Sequence, residues 1–423
     1  MNTPYTWIEI NKTAFEHNTA NYRAVIKNGL LAVVVKSNAY GHGMLQVAEL
    51  CQASPNVNWL CVANLSDALK LHEHGITKPI LVMSCIDKDP ADAINTNIAF
   101  VVPDMATAER LNEIGEEYTR TGASINSGRT DNIDAGADKL WRFPVHIKID
   151  TGLRRFGLEA DTALETIERM IALPFLNAQG LMTHFAQSQK PDLSFTHMQL
   201  EKYYRLLDSL EQRNIQIPIK HVANSAATLR LDLPRCNLFR VGVGIYGWWP
   251  SQALREETEK RHPGFSLKPI IQWKTQVHYL KTIPAHQPVG YDCTVTTSRE
   301  TRVACIPIGY FDGFDFRLSG TGYASIKGTA IPILGRVSMN VAMLDITDAP
   351  PITIGDEVVV LGPQNKVTAY DWVQYTNNPN IRELITTIHP NIERKIVETQ
   401  LDNVEISGIL APKSLEQKSD ILA

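Results

Sequence analysis

A chain of 423 residues that is 44% hydrophobic is long enough for two domains, each with its own core. Its formal net charge of −4, with no extended Lys/Arg run, argues against a dedicated nucleic-acid binder, and no apolar stretch reaches the roughly 20 residues needed to span a bilayer. The first seven residues lack the basic head and apolar core of a secretory signal. The six cysteines (Cys51, Cys61, Cys85, Cys236, Cys293 and Cys305) mostly fall inside apolar runs and show no paired metal-site spacing. Reduced cysteines in a cytoplasmic protein are the expectation, with no metal site, no nucleic acid and no membrane partner.

In chain order, residues 6–10 alternate as a strand, and Asn11-Lys12-Thr13 opens a helix through about Ile26. Apolar runs then recur at 30–36, 59–64, 79–85, 98–102, 145–150, 178–185, 218–223 and 238–245. Segments of helical period separate them, and eight strands alternating with helices predict an α/β fold built on a (β/α)8 barrel, a TIM barrel. The polar interval at 121–140 is too long for an ordinary αβ loop and reads as a surface insertion. After Pro250 the charged stretch 256–262 reads as a linker. Strand patterns punctuated by Gly and Pro then predict a mainly antiparallel β-domain, with helices at 369–375 and 381–386 and a last strand at 395–397. The expected division is a barrel over 8–250 and a C-terminal β-domain over 251–423 that also takes the first strand, residues 1–7.

Polar residues at the C-terminal ends of barrel strands point into the site. Read in order, those ends carry Lys36, Lys148 with Asp150-Thr151-Gly152, His184, Asn224-Ser225 and Arg240. Lys36 ends a β-branched run against a low-dielectric wall, which disfavours its ammonium and frees its amine for chemistry. Taken alone it reads more readily as a lysine snorkelling to solvent. Polar groups from five separate strands, converging on one mouth, reverse that balance.

The segment Val35-Lys36-Ser37-Asn38-Ala39-Tyr40-Gly41-His42-Gly43 resembles the cofactor-lysine segment of alanine racemases, and further matches follow in order from about Trp7 to about Val397. The resemblance implies pyridoxal 5'-phosphate as cofactor, a small amino acid as substrate, and interconversion of L- and D-alanine that supplies D-alanine for peptidoglycan. It makes Lys36 the Schiff-base lysine and Arg240 the arginine facing the pyridine nitrogen. Ser225, Tyr40 and the backbone N–H groups of Gly242 and Val243 become phosphate donors, with His184 against the ring and Asn224 on its 3-oxygen side. For Ser225 alone, helix N-capping before Ala226-Ala227 reads equally well. Tyr291 is similar to the family's second acid/base, reaching Lys36 across a homodimer interface, and a His184–Arg240 hydrogen-bond chain beside it would help its hydroxyl act as a base. Arg155 matches the arginine that holds the substrate carboxylate, Met339 offers that carboxylate its backbone N–H, and Tyr310 resembles the tyrosine at the substrate entrance. Lys148 matches a lysine that family members carbamylate.

Some positions depart from the family pattern. Asn340 stands where Asp is commoner, Gly290 and Asp292 flank Tyr291 where Ser and Gly are typical, and Pro390 lies in the segment where many members carry a phosphate-contacting tyrosine. These departures leave open a broad-specificity racemase acting on Ser, Lys or Arg. A non-catalytic pyridoxal-phosphate carrier and an amino-acid decarboxylase of similar architecture fit less well. The carriers lack a β-domain, and no cysteine follows Cys305 to serve a decarboxylase.

Overall fold

The computed structural model describes residues 5–121 and 141–398. The interval expected as an insertion therefore lies, apart from Thr121, outside the described residues.

Strand β1 (Thr6–Asn11) leads into helix α1 (Lys12–Ile26), whose first turn is capped by Asn11 Oδ1 accepting from Ala14 N at 3.0 Å. The barrel follows as β2 (Leu30–Val34), β3 (Trp59–Asn64), β4 (Ile80–Cys85), β5 (Ile98–Val102) and β6 (Phe143–Asp150), then β8 (Leu176–Met182), β9 (Ile219–His221) and β10 (Leu238–Val241), with the two-residue β7 (Leu158–Glu159) beside β6. The ladder runs β10-β2-β3-β4-β5-β6-β8-β9, all parallel. Backbone bonds bring the ends together: Asn237 N donates to Lys220 O at 3.0 Å and Arg240 N to Ala223 O at 3.3 Å. All eight predicted runs are strands of this nearly closed barrel.

Alternation along each strand sorts side chains between the helix layer and the lumen. Leu31, Val33, Ile147 and Ile149 join the large core cluster, whereas Ala32, Val34, Cys61, Leu81, Val101 and Leu238 form a separate cluster inside the barrel. The same period leaves His146 and Lys148 on the lumen side of β6. Both are buried.

The second unit contains β11 (Ile271–Gln276), β12 (Tyr279–Ile283), β13 (Pro288–Val289), β14 (Val295–Thr296), β15 (Thr301–Ile306), β16 (Tyr323–Ile326), β17 (Thr329–Pro332), β18 (Ala342–Asp345), β19 (Glu357–Leu361) and β20 (Glu393–Val397). Its largest sheet has the order β17-β16-β19-β11-β1-β20, so β1 pairs antiparallel with β11 and parallel with β20. Trp273, Phe314 and Trp372 pack edge-on or tilted at its centre, with Phe314 and Trp372 ring centroids 5.6 Å apart.

One expectation fails. The charged stretch 256–262 is no linker: residues Gln252–Arg261 form a helix, started by Ser251 Oγ accepting from Leu254 N at 3.2 Å. Leu254 and Thr258 are its buried stripe, and Arg255 bonds Glu259 one turn on at 2.7 Å. The charge run is the solvated face of a helix.

Candidate active site

The strand that carries Lys36 ends in an unusual turn. Val35 N is still held by Cys61 O at 2.8 Å, and then Ser37, Asn38, Ala39 and Tyr40 take φ values of 55, 52, 52 and 54°. Left-handed backbone costs L-residues roughly 1–2 kcal/mol each, so its neighbours must over-determine it. Gly43 N donates to Asn38 O at 2.9 Å, and Met44 N donates to Asn38 Oδ1 at 2.9 Å. From the far side, the helix Ile381–Thr386 seats on Gly41 (φ 84°), where any Cβ would run into the Ile385 carbonyl. Arg394 completes the clamp, its guanidinium donating to Gly41 O at 3.0 Å and to the carbonyls of His389, Pro390 and Ile392.

Lys36 and Tyr40 from this turn line a cavity of about 200 Å³. His184 reaches it from beyond β8, Asn224 and Ser225 from beyond β9, and Arg240, Gly242 and Val243 from β10 and the turn after it. The predicted barrel residues thus meet in one place, at the C-terminal ends of the strands. Burial, and then the cations Arg155 and Arg382, push the Lys36 amine below the usual lysine range. Burial raises the Tyr40 hydroxyl to about 12, so it stays protonated and available as a donor. That hydroxyl hangs over Gly242, where a Cβ would lie 2.5 Å from it. Gly242 N donates to Ser225 Oγ at 3.0 Å, and the buried Tyr22 hydroxyl is a second hydrogen-bond partner of that serine.

The capping assignment moves by one residue. Asn224, extended at φ −103° and ψ −174°, is the N-cap, its Oδ1 accepting from Ala227 N at 3.0 Å, and Ser225 is already helical. An amide at N-cap reaches the N–H of the third residue, so Ser225 is spared for the cavity.

Arg240 is 3% exposed and has no carboxylate partner among the described residues. Its guanidinium donates to His221 Nδ1 at 2.8 Å, His184 Nδ1 at 3.1 Å, and the carbonyls of Thr183, Val222 and His221. Burial lowers it to about 10, still cationic at neutrality. An arginine offers only donors, so both histidine Nδ1 atoms must be acceptors and both protons sit on Nε2. His221 Nε2 therefore donates to His146 Nδ1 at 2.8 Å, and the series ends there. Burial and Arg240 keep all three imidazoles neutral, with His146 pushed down to about 3. Gly180 makes room for the last ring, since a Cβ there would collide with His146.

Lys148 is 1% exposed, and among the described residues its Nζ donates only to Ile149 O at 3.0 Å. Burial, with Arg240 and Arg155 adding to it against Asp150, lowers it to about 7. Asp150 turns away to accept from Gly152 N at 2.7 Å and Arg154 N at 3.2 Å. Gln199 braces the neighbouring strand end, donating to His184 O and Thr151 Oγ1 at 3.2 Å each.

Five predicted residues do not line this cavity: the buried Lys148 and four others. Arg155 is exposed, its guanidinium 5.0 Å from the Phe156 ring, although its charge reaches both Lys36 and Lys148. Tyr291, Tyr310 and Met339 lie on the β-domain surface, 70%, 44% and 54% exposed. Asp292, beside Tyr291, pairs with Arg336, whose guanidinium is 5.8 Å from the Phe316 ring, and Phe316 in turn packs against Tyr310. The sequence reading missed His146, His221 and Arg382. For His146 a signal existed: it lies two residues before the predicted Lys148 and so shares its lumen face.

The family model "Alanine racemase, N-terminal domain" matches residues 10–250, and "Alanine racemase, C-terminal domain" matches residues 270–396. Alanine racemase 2 of Caldanaerobacter subterraneus subsp. tengcongensis is 32% identical, covering 96% of this chain and 97% of that protein. Alanine racemase of Halothermothrix orenii is 31% identical over 92% of this chain and 96% of its own length. Among solved structures, alanine racemase of Clostridium difficile 630 superposes with a TM-score of 0.82 at 29% identity, covering 94% of this chain and 97% of that one. The Bacillus anthracis alanine racemase with bound L-Ala-P gives 0.78 at 28% identity, covering 96% of this chain and 98% of that one.

Proposed function

The chain belongs to the alanine racemase family, pyridoxal-phosphate enzymes that racemise alanine, and on that premise we propose that it works as a homodimer, with Lys36 of one subunit and Tyr291 of the partner subunit moving the α-proton. The observation that carries the reading is the convergence of Lys36, Tyr40, His184, Ser225 and Arg240 on one cavity. The donor chemistry fits pyridoxal phosphate. An amine of lowered basicity stands at one side, two hydroxyls and a glycine with no Cβ leave space for a phosphate, and an uncompensated guanidinium lies at the far end.

When bound, the cofactor supplies a carbonyl for condensation with an amino group and a π-system that accepts electrons as the α-proton leaves. Lys36 would serve twice, as the amine that holds the cofactor and as the carrier of a proton on one face of the substrate Cα. Arg240 has no acceptor and gives up a proton reluctantly, so it would hold a pyridine nitrogen largely unprotonated. Its other donors are held by His221, His184 and backbone carbonyls, which fixes its position. Tyr40 and Ser225 would hold the phosphate, and His184 would support the ring.

Racemisation needs a second proton carrier on the opposite face, and of the other titratable groups lining the cavity Tyr40 is assigned to the phosphate and His184 to the ring. Tyr291, Tyr310, Phe316 and Met339 are large apolar side chains exposed on the β-domain, with Tyr310 and Phe316 packed together, a surface suited to burial against a partner. Two-fold pairing would bring that surface over the barrel mouth of the other copy, making two composite sites. Arg155 then holds the substrate carboxylate, with the backbone N–H of Met339 beside it and Tyr310 at the entrance. Lys148 is suited to carbamylation: its neutral amine adds to carbon dioxide, an N–C bond forms, one proton leaves, and the new anion faces the cation Arg155.

The test is α-proton exchange in heavy water with pyridoxal phosphate supplied, on L-alanine beside L-serine, L-lysine and L-arginine. Exchange with D-product for alanine, abolished by Lys36→Ala, supports the reading. Equal rates across all four would make the pocket broad. Bound cofactor with no exchange would remove Tyr291 as a working base.

A further inference from the structure

The cavity carries a cation that the mechanism above does not use. Arg382 stands on the helix Ile381–Thr386, which Gly41 admits so closely that a Cβ would strike its backbone. Gly41 directly follows Tyr40, so this seating delivers Arg382 to the Tyr40 side of the cavity, and it lines the cavity with Tyr40, Ser225 and Gly242. Among the described residues no carboxylate pairs with it, and its one hydrogen bond is a long one, Nε to Asn380 Oδ1 at 3.3 Å.

The other arginine of this region differs. Arg394 is buried and its terminal nitrogens are spent on four backbone carbonyls. It holds the segment His389–Ile392 against Gly41, and that segment presents Pro390, which has neither a hydroxyl nor an N–H. Of the two guanidiniums, only Arg382 is free to meet an incoming anion.

We propose that Arg382 is a phosphate-binding residue, its guanidinium meeting the phosphate of pyridoxal phosphate from the β-domain side while Tyr40 and Ser225 meet it from the barrel. The proposal rests on reading the cavity as the cofactor site. A guanidinium matches two phosphate oxygens at once, a geometry that an ammonium cannot reproduce. Its charge is already felt at both neighbours, since it acts on Lys36 and on the Tyr40 hydroxyl. The contact ties the helix to the turn that carries Lys36, so cofactor binding and the docking of the two domains reinforce one another. The rival anion is the substrate carboxylate, and the experiment separates the two.

The full chain is stripped of cofactor with hydroxylamine and titrated with pyridoxal phosphate and, separately, with pyridoxal, which lacks the phosphate. Wild type, Arg382→Gln and Arg382→Lys are compared by the absorbance change that depends on Lys36. The expected result is at least a tenfold weaker Kd for pyridoxal phosphate in Arg382→Gln, partial recovery in Arg382→Lys, and an unchanged Kd for pyridoxal. At saturating cofactor the KM for L-alanine should be unchanged. Equal Kd values for wild type and Arg382→Gln would overturn the proposal, as would equal losses for both ligands, or a raised KM with cofactor affinity intact. If wild type binds neither ligand at Lys36, the cofactor-site reading itself falls, and this one with it.

Discussion

Arg240 donates to His221 Nδ1 at 2.8 Å, and that contact sets the protonation of a buried histidine series. Because the arginine has no acceptor, His221 must carry its proton on Nε2 and pass a hydrogen bond to His146, while on the other side His184 keeps Nδ1 toward Arg240 and Nε2–H free. The arrangement needs a planar fork with several donors. Arg240→Lys keeps the charge but cannot hold His221, His184 and three carbonyls together. We expect racemisation to fall at least tenfold, with the absorbance of bound cofactor altered and the far-UV circular dichroism unchanged. Wild-type turnover would contradict the role given to this fork.

Gly180 tests the far end of the same series. A methyl there collides with the His146 ring, which has Trp59 on another side at a centroid distance of 5.4 Å and cannot simply swing away. Overpacking of this kind costs about 1–3 kcal/mol. Urea unfolding of Gly180→Ala should show a lower midpoint with the slope unchanged, and Gly180→Ala paired with His146→Ala should recover part of the loss.

Lys148 makes stability depend on pH in a definite direction. Burial lowers its folded pKa to about 7, against an ordinary lysine value in the unfolded chain. Between those two values the unfolded state binds more protons, so stability should rise as pH increases from about 7 toward 10. Below pH 7 the penalty for burying this amine is constant and at its largest. Denaturant midpoints of cofactor-free enzyme in buffer purged of carbon dioxide should climb across that window, and Lys148→Met should flatten the climb. Restoring carbon dioxide should flatten it in the wild type too, because the carbamate is an anion throughout.

Much of this site was legible because barrel geometry converts sequence position into spatial position. Once Val35-Lys36 and Phe239-Arg240 were read as strand ends, the rule that strand ends face the mouth placed Lys36, His184, Ser225 and Arg240 together. The resemblance then attached a cofactor to them. His221 and His146 escaped because a histidine inside an apolar run looks like core, and only the pairwise distances reveal the series. The left-handed turn at Ser37–Tyr40 was invisible for a different reason: none of those four residues is glycine, and the backbone is held there by Asn38, Gly43 and the distant helix at Ile385. The helix Gln252–Arg261 was misread because its apolar stripe is only Leu254 and Thr258, too narrow to register among ten residues dominated by charge. Arg382 gave no sign at all, since its closeness to Tyr40 depends on a helix more than 300 residues away along the chain packing onto Gly41.

The central claim is that each active site combines Lys36 of one subunit with Tyr291 of the other, and subunit mixing tests it most directly. Lys36→Ala and Tyr291→Phe homodimers are each expected to be inactive. Mixed, dissociated and reassociated, they should form hybrid dimers in which one site lacks both groups and the other has both. Activity should return to about a quarter of the wild-type value per subunit, from about half of the dimers carrying one intact site each. Hybrids that form, bind cofactor and remain inactive would contradict a site shared between subunits.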